Sequence, residues 1–141
     1  MKSAALDTSV VMRLLTGMPR AQAEHALDEL TTILTSGGAV FVSDLVISEV
    51  YFALQHHYQV PKEAALVLLA EFVTASGVTA TGAAADVLRT PRLASAKPGF
   101  VDRLIHAEGI GVAEELLTFE AAGRKLKHTR VLNSRNRPTS S

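Results

Sequence analysis

The sequence predicts an α/β domain of three layers, α/β/α, with helices on both faces of a mostly parallel central sheet. Short apolar runs of strand character alternate with longer stretches of helical spacing along the chain. That alternation is the pattern of parallel strands joined by helical crossovers. Seven of the glycines and prolines fall between the periodic stretches, at Gly17, Pro19, Gly37, Gly38, Pro61, Gly77 and Pro91, where turns and element ends are built. The chain has 141 residues, 48% of them hydrophobic, which is enough for one domain with a real core.

Taken in order, "SAALDTSVV" opens with a strand ending near Leu6, and helical patterning follows to Leu15. "AQAEHALDELTTILTS" is a helix stopped by Gly37 and Gly38. "AVFVS" is the second strand. "DLVISEVYFALQHHY" is a helix entered at Ser43 or Asp44, either of which caps it. Pro61 opens the helix "KEAALVLLAEFVTAS", which Gly77 stops. "GVTAT" is a weak third strand, "AAADVLRT" a helical stretch closed by Pro91, and "PRLASAKPG" a loop. "FVDRLIHAEG" is a short helix expected to end at Gly109; "GVAEELLTF" holds a strand, "AAGRKL" a short helix and "TRVL" the last strand. The domain is expected over residues 1–132, with 133–141 as a polar, basic tail.

Lys plus Arg and Asp plus Glu number 14 each, a balance that neither points to nucleic acid nor excludes it, because distribution matters more than the sum. There is no cysteine, so disulfides and thiolate zinc sites are ruled out, in keeping with a reducing cytoplasm. No uncharged run reaches the ~18 residues of a membrane helix, and Asp7 interrupts any signal-like apolar start. No acid follows Glu120, whereas Arg124, Lys125, Lys127, Arg130, Arg135 and Arg137 do. These residues are either a solvated tail or a basic rim for a phosphate backbone.

In parallel α/β sheets, ligands bind outside the carboxyl ends of the strands. Asp7 stands at such an end, either as a helix cap or as a site residue; Thr8 and Ser9 are equally able to cap. Glu49 has only apolar neighbours three and four residues away, Leu45, Val46, Phe52 and Ala53. A carboxylate in such a patch needs a partner or a cation, unless its head reaches water. Asp102 in a first helical turn and Glu120 after "ELLTF" each suit the helix dipole when taken alone. Together the four can converge on one crevice. Unpaired carboxylates there would repel one another, and an oxygen-only set suits a hard cation, Mg²⁺ or Mn²⁺. The histidines make no zinc pattern: His56 and His57 diverge, and His25, His106 and His128 are read as surface residues.

The segments "ALDTSVVMRLL", "VSDLVISEVYFAL", "PGFVDRLIHAEG" and "ELLTFEAAGRKL", in that order and spacing, resemble the motifs of the PIN-domain family, and the size resembles its single-domain VapC-type toxin nucleases. Residue by residue, the resemblance makes Asp7, Glu49, Asp102 and Glu120 the four acids. Glu120 stands where Asp is usual, Ser9 where Asn is common, and Thr118 matches a frequent threonine. It implies metal-dependent hydrolysis of RNA, with Asp7 and Asp102 as direct ligands. Glu49 would bind directly, bind through water or orient the nucleophile, and Glu120 would complete a second site or act through water. Positive charge for the RNA is expected from Arg89, Arg92, Lys97 and the C-terminal stretch.

The resemblance also implies a cytoplasmic toxin of a type II toxin–antitoxin module, with an antitoxin segment covering the acids. The apolar stretch from Glu49 to Val73 is expected to leave surface for a homodimer. The alternatives are a housekeeping RNA-processing nuclease or a catalytically weak PIN-like binding module. A receiver domain lacks its early acid pair here, and a haloacid-dehalogenase-type phosphatase would want Asp in place of Ser9.

Overall fold

The computed structural model describes residues 2–133; Arg135 and Arg137, and nearly all of the expected tail, lie outside them. The order is β1 (Ser3–Ala5), α1 (Thr8–Thr16), α2 (Arg20–Thr35), β2 (Ala39–Val42), α3 (Asp44–His56), α4 (Lys62–Ala75), β3 (Val78–Ala80), α5 (Ala84–Val87), α6 (Phe100–Val112), β4 (Leu116–Thr118) and β5 (Thr129–Val131). The chain is a mixed α/β fold of the expected three-layer α/β/α class, and every strand pairing is parallel.

Local chemistry sets the boundaries. Asp7 caps α1 by accepting the Val10 N–H, and Gly17 closes it in the left-handed region, φ +70°, where glycine carries no steric cost. Gly38 lies where a Cβ would run into the Lys2 carbonyl, so only glycine lets the chain turn from α2 into β2 beside β1. Ser43 caps α3 through the Val46 N–H at 3.2 Å.

β2 is the middle strand of a three-stranded sheet ordered β1-β2-β3. Its Val40 and Val42 are buried with Val11, Ile47, Val50, Leu54, Leu69 and Val78. Phe100, at the start of α6, is buried and meets Tyr51 edge-on with ring centroids 5.1 Å apart. Burying such a side chain contributes roughly 1.5–3 kcal/mol, and Phe100 and Leu104 thereby fix the first turns of α6 to the core.

Four features depart from the sequence expectation. First, β4 and β5 do not extend the central sheet; they form a separate parallel pair. Second, α6 runs past Gly109 to Val112. Gly109 is not a stop: a Cβ there would sit 3.1 Å from Leu116 Cδ1, so its bare backbone lets β4 pack onto the helix. Third, His106 is buried rather than on the surface, and its Nε2 bonds the Lys127 carbonyl at 2.6 Å. Fourth, the α3–α4 stretch packs mainly inside the chain. Tyr51, Leu54, Leu66, Leu69 and Phe72 are buried, while Phe52, Tyr58 and Val67 remain exposed.

Candidate functional site

The four sequence-predicted acids come from the ends of two strands and from two helices. Asp7 follows β1 as the cap of α1. Its Oδ1 accepts the Ser9 hydroxyl at 2.6 Å and the Val10 N–H at 3.2 Å. These bonds, the Ser9 hydroxyl foremost, hold its carboxyl below the usual aspartate range, because both favour the charged form. The next residue, Thr8, donates its hydroxyl to Glu49 Oε1 at 2.8 Å. Thr8 thus ties the middle of α3 to the start of α1, one residue after Asp7. The Glu49 head is exposed despite its apolar helical neighbours.

Asp102 and Glu120 share a cavity. Both line a cavity of about 190 Å³ together with Pro98, Ile105, Leu116, Leu117 and Thr118. Asp102 comes from the first turn of α6, Glu120 from just beyond β4. The Thr118 hydroxyl accepts the Glu120 N–H at 3.0 Å, which gives that threonine a concrete part in shaping the turn.

Donor chemistry and donor grouping therefore disagree. All four heads are carboxylates, the kind of ligand that Mg²⁺ and Mn²⁺ take. Yet among the described residues no three Asp, Glu or His side chains lie close enough to hold a metal ion together. Asp7 follows a strand of the central sheet, and Glu120 follows a strand of the second pair.

Beside Asp102 lies a cavity of about 320 Å³ lined by Pro91, Arg92, Ser95, Ala96, Lys97, Arg103 and Lys125. Arg103 follows Asp102 in α6, and its Nε donates to the Pro98 carbonyl at 2.7 Å. None of these four cations has a carboxylate partner among the described residues. Arg89, expected in the same basic region, is instead paired with Asp86. Arg130 is paired with Glu115 at 2.8 Å.

Sequence reasoning missed Asp44 as more than a cap. Its two oxygens accept the Ala83 and Ala84 N–H groups at 2.9 and 3.0 Å, across 39 and 40 residues, and so join the ends of β2 and β3. Gly82 was the available signal, since any Cβ there collides with the Asp44 carboxylate. Arg103 carried no signal beyond standing next to Asp102.

Among the described residues no helix is long and apolar enough to cross a membrane. The curated proteins and the solved structures gave no match to this chain. The family model of the PIN domain matches residues 4–128, a span that includes Asp7, Glu49, Asp102 and Glu120. With nearly the whole described chain inside that match, the protein belongs to the PIN-domain family.

Proposed function

We propose that the chain is a metal-dependent ribonuclease and the toxin of a type II toxin–antitoxin module, acting in the cytoplasm. Membership of the PIN family points to a nuclease. The observation that supports the finer reading is the bond from Thr8, the residue after Asp7 at a strand's carboxyl end, to the exposed Glu49 carboxylate. Asp102 and Glu120 are the proposed remainder of the site, and Mg²⁺ or Mn²⁺ is the proposed cofactor on donor chemistry. When bound, such an ion neutralises the carboxylates and lowers the pKa of a coordinated water.

The chain's own residues account for the rest. Thr8 orients Glu49, and Ser9 and the Val10 N–H keep Asp7 ionised. Arg92, Lys97, Arg103 and Lys125 form the basic wall that an anionic backbone needs beside acids. The toxin role rests on the resemblance in size and motif order to single-domain VapC-type nucleases. In that role an antitoxin would lay a basic side chain on the acids, a charge-assisted block. A homodimer belongs to the same proposal. Among the described residues the α3–α4 stretch offers it Leu45, Phe52, Tyr58 and Val67.

The test is cleavage of a mixed RNA substrate by purified protein with Mg²⁺, with Mn²⁺ and with EDTA. Cleavage that needs the ion and is lost in Asp7→Asn supports the reading; cleavage indifferent to both refutes it. Growth arrest on induction, relieved by the same substitution, separates a toxin from a housekeeping nuclease.

A further inference from the structure

Two cavities meet along a shared wall. The one that holds Asp102 and Glu120 is also lined by Pro98 and Leu126. The one beside it is lined by Lys97, Arg103 and Lys125, together with Arg92. At three points consecutive residues therefore line different cavities: Lys97 and Pro98, Arg103 and Asp102, Lys125 and Leu126. The acid side and the basic side are one residue of chain apart.

The four cations of the basic side come from separate segments. Arg92 and Lys97 lie in the loop before α6, Arg103 in the first turn of that helix, and Lys125 at the end of the short helical turn Ala121–Lys125. Like charges gathered in one cavity repel one another, and none of these has a carboxylate within ion-pair distance among the described residues. Arg103 is half-buried and its Nε is fixed on the Pro98 carbonyl, so its planar guanidinium is aimed before any ligand arrives. Arg92 has φ +52° and ψ +40°, the left-handed region where glycine is at ease and a side chain is strained. The Ser95 hydroxyl and N–H both donate to the Arg92 carbonyl, at 3.2 and 3.1 Å, and hold that turn. An exposed arginine there adds strain to the loop without adding packing.

A phosphodiester inside a nucleic-acid strand carries one negative charge. A phosphate at the end of a strand carries about 1.5 to 2 near pH 7 and presents three free oxygens. Cations that track a backbone are spread along a groove, whereas these converge on one cavity of about 320 Å³. We infer that this cavity seats the terminal phosphate of an RNA strand beside the acids, so that the chain favours ends that carry a phosphate over ends with a free hydroxyl. The phosphate seat rests on geometry and charge. That the strand is RNA, and that the adjoining acids cut it, rests on the nuclease reading above.

The test is binding of a short single-stranded RNA with an internal fluorophore, in three forms: with a 5′-phosphate, with a 3′-phosphate, and with hydroxyls at both ends. Fluorescence anisotropy in EDTA at low salt reads affinity while nothing is cleaved. One phosphorylated form should bind about 10-fold tighter than the hydroxyl form, as charge-assisted bonds to one group would give, and the form preferred identifies the end that is seated. The preference should shrink as pH falls below ~6, where the phosphate regains its second proton. Arg92→Gly removes a cation and the backbone strain together, so it should keep or raise Tm while cutting the preference to about twofold or less. Lys125→Gln, at an exposed position, should cut it likewise. Arg89→Gln, whose cation Asp86 already neutralises, should leave it intact. Equal binding of the three forms, binding of none, or a preference that survives Arg92→Gly or Lys125→Gln overturns the inference. Cleavage plays no part in these readings. Metal-dependent cutting without an end preference would remove the phosphate seat and leave the nuclease reading standing; an end preference in a protein that cuts nothing would do the reverse.

Discussion

Asp7 caps α1 and is also the leading candidate ligand, so its substitutions must separate the two roles. Asparagine caps a helix about as well as aspartate, whereas alanine does not. Asp7→Asn is therefore expected to keep Tm near that of the parent while RNA cleavage falls at least about 100-fold, more than the 10–100-fold typical of groups one step removed from a metal. Asp7→Ala is expected to lose both activity and Tm. Unchanged cleavage in Asp7→Asn would remove Asp7 from the site. The depressed pKa gives a signed pH dependence. A carboxyl whose folded pKa lies below its ordinary 3.8 contributes stability above that value and loses it as pH falls through the folded pKa. Acid titration of Asp7→Asn should lack this component, with no difference between the proteins near neutrality. Thr8 is a positioning residue. Thr8→Val, which removes the donor to Glu49, should cost about 10–100-fold in activity, and Thr8→Ser should restore most of it. Equal activity in Thr8→Val and parent would mean that Glu49 needs no such orientation.

At the scale of elements, the helices and the first three strands were legible because their signals are local. Apolar spacing, Ser43, Gly17 and Pro61 state where helices begin and end, and the runs of β-branched residues in "AVFV" and "GVTA" state the strands. The placement of β4 was not legible. Which edge a three-residue strand seeks depends on tertiary packing, here on Gly109 and His106, and each has a strong local reading that points elsewhere. Glycine in a helical pattern reads as a stop, and a lone histidine among charges reads as surface. The four acids were legible as residues, but the Thr8 hydroxyl that binds Glu49 was not, for the same reason. His106 tests this account of the α6–β4–β5 unit. His106→Ala leaves the Lys127 carbonyl without its partner, and losing such a partly buried bond costs about 1–3 kcal/mol. Urea unfolding should show that loss, and amide exchange should show reduced protection in β4 and β5 but not in β2. His106→Gln keeps a donor and should recover part of the protection. Uniform loss of protection across all strands would mean that His106 supports the core rather than this unit.

At the scale of the whole molecule, a chain of zero net charge must hold an anionic backbone by the distribution of its cations rather than by their sum. Arg92, Lys97, Arg103 and Lys125 line one cavity and have no carboxylate partner among the described residues, whereas Arg89 and Arg130 are each paired with an acid. Replacing Lys97 and Lys125 by Gln should therefore weaken RNA binding and flatten its dependence on salt, because each lost phosphate contact lowers the number of counterions released. Arg89→Gln, which removes a cation already neutralised by Asp86, should change neither. RNA retention by the purified proteins across a salt series checks this. Equal weakening in both variants would mean that overall charge, rather than this wall, attracts the RNA.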